Sequence, residues 1–280
     1  MKRIKTTILL LLSITAATFA QQNVAVKYDV SNRDSDRGVL VKSEMVLITN
    51  PQQSLYYNTM SQYVDSCEST PEGAAKLREI QMKAWRVVQP DGTVTYDGRK
   101  LGLAPEKKEF LYVQKNFADG EQTVYDYKGG GLFRYDEPLS EMTWVIKEDS
   151  VNNILGYECI MAESNYHGRR WKAWFTPEVP VADGPWKLHG LPGIILKADG
   201  GDDFLIQATE IGTTSLDVPP VYSVKDYQKG ERKKILSDHE HYINNLESIM
   251  SAQGIKMNAD GSPANLPKYN RQQKAWETDY

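Results

Sequence analysis

The chain reads as mainly β (α+β), a curved antiparallel sheet or half-barrel partly wrapped by one or two helices. Three observations lead there. Short segments rich in valine, isoleucine, tyrosine and tryptophan alternate apolar with polar residues along much of the chain. Turn-forming strings separate them at hairpin intervals: "DG" at 119, "GGG" at 129, "HGRR" at 167 and "DGGDD" at 199. Only two stretches carry helical spacing instead.

The elements follow in order. Lys2, Arg3 and Lys5, an apolar run from Ile8 to Ile14, and the small residues of "AATFA" make residues 1–20 a secretory signal peptide, cleaved after Ala20. Later apolar runs fall short of the roughly 18 residues a membrane-spanning helix needs. The mature protein is therefore expected to be exported, to the periplasm or the cell surface. In "VAVKYDV", 24–30, Val24, Val26, Tyr28 and Val30 share one face of a half-buried strand. A second strand covers 39–49, and the pattern continues near 54 and 112. At 70–85 the period changes: Thr70 caps a helix, Pro71 takes its first position, and Glu72 suits the positive end of the dipole. Strands resume from Glu109 to Ala208 as a meander. Residues 224–254 read as a second helix, with Ile235, Leu236, Ile243, Leu246 and Met250 on one stripe and Gly254 at its end. One domain thus spans 21–254, and 255–280 reads as a polar, loosely ordered tail.

A net charge of −4 argues against nucleic acid as a partner, which needs a concentrated basic surface. Export to an oxidising compartment makes a Cys67–Cys159 disulfide one alternative, two buried thiols the other. "HEH" at 239–241 is not a metal motif, because i and i+2 on a helix point about 200° apart; it reads as solvated helix surface. His167 and His189 are single residues near turns. Walker, G-x-S-x-G and G-x-G-x-x-G strings are missing from the sequence, and "KGGGLFRY" lacks the ending of a phosphate loop. No cofactor, metal or catalytic residue is assigned. Aromatic and basic residues cluster instead between 166 and 187. Strand alternation puts Trp171, Ala173 and Phe175 on one face and Arg170, Lys172 and Trp174 on the other. Arg169, Arg170, Trp171, Trp174, Trp186, Lys187 and His189 form the candidate ligand-binding set, core plus cation-decorated surface being the plainer reading.

The remaining string is "HGLPGIIL", 189–196, which resembles the signature of the GLPGLI family, exported proteins of Bacteroidetes-type bacteria. Ile194 replaces the family's leucine. The surroundings, "GYECIMAESNYHGRRWKAWFTPEVPVADGPWK" from 156 to 187, resemble that family's block as well. The resemblance implies no activity and no catalytic residue. Physically, Pro192 fixes φ and pushes Leu191 to extended geometry, while Gly190 and Gly193 permit positive φ or close backbone approach. Gly190, Leu191, Pro192 and Gly193 therefore read as a tight structural corner, with an anion-binding nest of the glycine amides near Lys187 or His189 as the alternative. On this reading Gly193→Val costs stability and Lys187→Ala does not. The functional expectation is a non-enzymatic binding or accessory protein of the envelope, holding a lipid or peptide and partnered by an outer-membrane transporter or other envelope protein. A periplasmic hydrolase with a cross-strand acid/base pair, or a module docking on such a transporter, are the alternatives.

Overall fold

The computed structural model describes residues 23–33, 40–96, 103–202, 204–245, 248, 252 and 275–280. The signal peptide, Leu246, Met250 and Gly254 lie outside them. The first half of the chain forms β1 (Asn23–Arg33), β2 (Leu40–Thr49), β3 (Gln53–Tyr57), the helices α1 (Thr59–Glu68) and α2 (Pro71–Trp85), a small hairpin of β4 (Arg86–Val88) and β5 (Val94–Tyr96), then β6 (Tyr112–Asn116), β7 (Glu121–Lys128) and β8 (Gly131–Pro138). The second half adds β9 (Val145–Ile154), β10 (Tyr157–Tyr166), β11 (Arg169–Thr176), β12 (Ile194–Asp199), β13 (Phe204–Thr214), β14 (Gln228–Lys229) and the helix α3 (Arg232–Asn244).

Twelve strands make one open, curved sheet in the order β14-β8-β7-β6-β3-β2-β1-β13-β12-β11-β10-β9, antiparallel throughout except where β14 lies parallel to β8. The curvature is read directly from a side-chain contact. The Gln122 amide of β7 donates to the Tyr166 hydroxyl of β10 at 2.9 Å, although the two strands stand eight steps apart in the sheet. At about 4.8 Å per step a flat sheet would hold them nearly 40 Å apart.

The concave face carries the main core. Val24, Val26, Tyr28 and Val30 are buried there together, as their alternation requires, and Met45, Leu47, Val113, Trp171, Ala173, Phe175 and Ile206 join them. On the opposite face Val46, Ile48, Leu55, Tyr57, Tyr112, Tyr125 and Tyr227 form a second cluster. There the Tyr112 hydroxyl donates to Asp65 of α1 at 2.5 Å, which pins the helix.

Local signals explain the helices. Thr70 caps α2 by accepting from the Gly73 amide, with Pro71 first and Glu72 in the first turn. The strand pattern near 54 stops at Tyr57, because the Asn58 side chain accepts from the Ser61 amide and starts α1, a helix the alternation did not announce. The helix expected from 224 begins at Arg232, since residues 228–229 pair with β8 and the Gly230 amide donates to Arg134 O at 3.0 Å. "GGG" at 129 is a hairpin turn with Gly129 and Gly130 at φ +56° and +86°, and β8 follows it directly.

Candidate functional site

Residues 177–193, between β11 and β12, act as a strap across the concave face. Trp186, Leu188 and Leu191 plug into the core, all at most 2% exposed. The strap is bolted to the far half of the sheet. Lys115 of β6, five strand steps from β12, is fully buried, and its ammonium donates to Asp183 Oδ1 (2.6 Å), Gly184 O (2.9 Å) and Leu188 O (3.1 Å). Those are the three donors an ammonium possesses. Burial pulls the Lys115 pKa down, and Asp183 only partly offsets it. His189 faces Lys187 O and Leu139 O, 2.7 Å from each ring nitrogen. Burial and then Lys115 push its pKa down, opposing the second proton that donation to both carbonyls would require.

At the glycine-proline corner the Gly190 amide donates to Ala182 O (3.0 Å) and the Gly193 amide to Leu191 O (2.8 Å). Both amides of the alternative anion nest are thus engaged by backbone carbonyls. A Cβ on Gly193 would stand 2.1 Å from the Thr176 carbonyl oxygen.

Beyond the strap lies a buried charge network. It joins Glu137 of β8, His167 in the β10–β11 turn, Lys187 of the strap, Arg232 of α3, and Glu277 and Asp279 from 275–280. Lys187, at 0% side-chain exposure, stands 2.7 Å from Glu137 Oε2 and 2.6 Å from Glu277 Oε1. Arg232 holds Asp279 with two nitrogens (2.8 and 2.7 Å), contacts Glu277, and lies 3.2 Å from Glu137. His167 turns one ring nitrogen to Glu137 (2.9 Å) and the other to Asp279 (3.3 Å). The expectation that Lys187→Ala is harmless is therefore overturned, because the lysine separates two buried carboxylates. Glu137, His167 and Glu277 bring donor atoms within 4.8 Å of one another, a set suited to a divalent cation. Protein cations, Lys187 and Arg232, already neutralise those carboxylates.

Two of the acids are tuned by these partners. Burial opposes ionisation of Glu137, but His167 and Lys187 outweigh it and hold the carboxyl below the ordinary range. Asp279 is held down to about 2, Arg232 and His167 again overcoming burial. A carboxylate whose pKa falls on folding stabilises the fold above its unfolded pKa, and that contribution is lost as pH drops through the folded value. The melting temperature should thus fall from about pH 6.5 downward, first because His239 and His189 are held neutral in the fold while the unfolded chain takes up protons, and then, between about pH 4 and 2, as these carboxylates protonate. Asp279→Asn should flatten the second part of that fall in circular-dichroism melts; an unchanged slope would show that Asp279 contributes nothing to it.

The seven candidates divide between the two faces. Arg169, Trp171, Trp186 and Lys187 gather on the inner side around residues 275–280. Arg170 and Trp174 point outward, Arg170 pairing with Glu163 at 2.9 Å and Trp174 lying under Lys197. His189 is buried in the strap. The two thiols are free in the structure, Cys67 half-buried on α1 and Cys159 buried in β10, which is the unpaired alternative. Burial pushes the Cys159 thiol up to about 11, which disfavours the thiolate.

Sequence reading missed Lys115, Asp183, Glu137, Arg232 and the 275–280 segment. Two signals were available. Lys115 shares the inward face with Val113, an odd place for a lysine without a partner. Trp276 is a tryptophan in a polar tail, and it packs against the core beside a buried Glu277, so this end of the tail does not hang loose.

A cavity of about 420 Å³ opens between the concave face, α3 and residues 275–280. Val30, Met45, Tyr56, Leu111 and Val124 line it from the sheet side, Leu236 and Ile243 from α3, and Trp276 from the returning segment. Glu109, Asp126, Lys128 and His239 add polar groups. Far from being solvated surface, His239 accepts from the Gly129 amide at 2.9 Å, and burial, then Lys128, lower its pKa to about 4.

Residues 161–197 match a family model described as a protein of unknown function (Porph_ging). No curated protein matches the chain. Among solved structures, PNGF-II is 15% identical with a TM-score of 0.49, covering 79% of this chain and 33% of that one. An uncharacterized conserved protein from Thermus thermophilus is 9% identical over 79% of this chain and 98% of its own, at a TM-score of 0.32. The MucA/MucB complex of Pseudomonas aeruginosa is 10% identical, over 78% and 59%, at 0.25. The chain spans about a third of the PNGF-II chain. Among the described residues no helix is long and apolar enough to cross a membrane.

Proposed function

We propose that this is a GLPGLI-type, non-enzymatic binding or accessory protein of the cell envelope, which holds the apolar part of an amphipathic ligand in the cavity of its concave face. The cavity carries the reading. Its volume, about 420 Å³, lies within the range of small-molecule sites, roughly 300–1,000 Å³. Its composition fits too: aliphatic and aromatic walls take an acyl chain or an aliphatic side chain, and Lys128, Asp126, Glu109 and His239 offer groups for a polar head. Hydrolysis would need an acid and a base free to exchange protons around one bond. Here Asp126 is tied to Lys128 at 2.8 Å and Glu277 to Lys187 at 2.6 Å. These ties support binding over turnover.

The test is a titration with N-phenyl-1-naphthylamine, an uncharged apolar fluorophore. A saturable one-site rise in fluorescence is expected, weakened about tenfold by Val124→Trp, which fills the cavity and removes contacts of the order of 1.4 kcal/mol. A chain with a normal melting transition and no saturable rise would defeat the proposal. Mass spectrometry of an organic extract from protein purified in its native host would identify the natural occupant.

A further inference from the structure

Residues 275–280 lie in a groove whose walls address them position by position. Trp276 enters an aromatic box, with ring centroids 4.7 Å from Phe204, 5.2 Å from Trp186 and 6.3 Å from a nearly parallel Trp171. Arg169, laid over the face of Phe204, donates to the carbonyls of Ala275 (2.8 Å) and Trp276 (3.4 Å). The Thr278 amide donates to His167 O (3.0 Å) and its hydroxyl to Gly168 O (3.1 Å). Glu277 meets Lys187 and Arg232, and Asp279 meets Arg232 and His167. Gly168 leaves room for this approach, since a Cβ there would stand 2.3 Å from Thr278 Oγ1.

Main chain and side chains are both read, and the reading groups belong to other elements: the β10–β11 turn, β11, the strap and α3. With the segment lifted away, Lys187 and Arg232 (two positive charges) would face Glu137 (one negative), an excess of one positive charge beside an aromatic box, with Arg169 and His167 left aside. Such a surface is complementary to one kind of occupant. Aromatic anchors in desolvated boxes and forked arginine–carboxylate pairs are also the contacts that dominate peptide recognition.

We propose that this groove is a recognition site for an acidic segment of a partner protein with the pattern aromatic–acid–x–acid in extended form, and that residues 275–280 occupy it in cis as a competitor. The strap's buried lysine and the β10–β11 turn are then specificity elements as well as parts of the fold. The inference does not depend on the apolar cavity: fluorophore binding can fail while the groove works, and the reverse.

The probe is a fluorescein-labelled hexapeptide AWETDY, titrated by anisotropy into the full chain and into its Trp276→Ala variant. The variant is expected to bind the peptide at least about tenfold more tightly than the unsubstituted chain, because its own segment competes less well. The lysine-substituted peptide AWKTKY should not bind. Asp279→Asn, at a side chain one-third exposed, is expected to act in the same direction and keeps the test readable if the alanine variant fails to fold. No anisotropy change with a variant that melts cooperatively would overturn the proposal, as would equal binding of the acidic and lysine peptides.

Discussion

Lys115→Met is expected to lower the free energy of unfolding by about 3–5 kcal/mol, among the largest losses any single change should produce in this protein. The ammonium is fully buried and all three of its protons are used, on Asp183, Gly184 O and Leu188 O. Removing it leaves a buried carboxylate without its counter-ion and two strap carbonyls without a donor. Both charges of the pair are fully desolvated, and burial pulls the Lys115 pKa down against the attraction of Asp183. Hence the second half of the expectation: Lys115→Met combined with Asp183→Leu should recover most of the loss, since it removes both desolvated charges at once. Urea denaturation of the two single variants and the double variant measures this as a coupling energy. Additive single losses would show that the pair does not act as a bolt.

Gly193→Val should rank beside it, at about 3 kcal/mol or more. Contact is the main reason, added to a φ of +158° that L side chains rarely adopt. A Cβ at this position would lie 2.1 Å from Thr176 O, 2.6 Å from Thr176 C and 2.9 Å from Pro177 N, all backbone atoms of the strand end and turn that the strap leaves. No rotamer relieves a clash with main chain. Gly190 supplies the contrast: a Cβ there meets nothing within 4 Å, and its cost is confined to holding a side chain at φ +86°, roughly 1–2 kcal/mol. The urea midpoint should therefore fall much further for Gly193→Val than for Gly190→Ala. Equal shifts would mean that the corner tolerates the approach of β12 to Thr176.

The two expectations concern the ends of one device. Lys115 anchors the strap to the first half of the sheet, and Gly193 lets it rejoin the second half beside β11. Between them Trp186, Leu188 and Leu191 fill the space that the curvature encloses. The cavity and the groove both lie against this filling, with Trp186 lining the cavity and Lys187 at the floor of the groove.

Local chemistry made much of the fold legible. Strand alternation placed Val24, Val26, Tyr28 and Val30 on one face, and Trp171, Ala173 and Phe175 likewise, because a pleat has period two whatever the strand pairs with. Thr70 and Pro71 marked the start of α2, because capping is satisfied within one turn. Asn58 carried the same information for α1, but the apolar run before it masked the signal. The site was less legible. Glu137 lies in β8 and His167 in the β10–β11 turn, at opposite sides of the sheet, and Glu277 arrives after a further stretch of more than a hundred residues. No spacing rule links them.

What the sequence by itself determined is therefore most of the strands and their buried faces, though not β4, β5, β8 or β14, together with the α2 helix and the need for glycine where the chain turns, all consequences of interactions within a few residues. Only the tertiary structure decided how far the sheet curls, which lysine bolts the strap, and that a polar-looking tail supplies a tryptophan and two acids to the interior. Curvature brings strands eight steps apart into hydrogen-bonding distance, and the partners of a buried charge are chosen by that closure rather than by their neighbours along the chain.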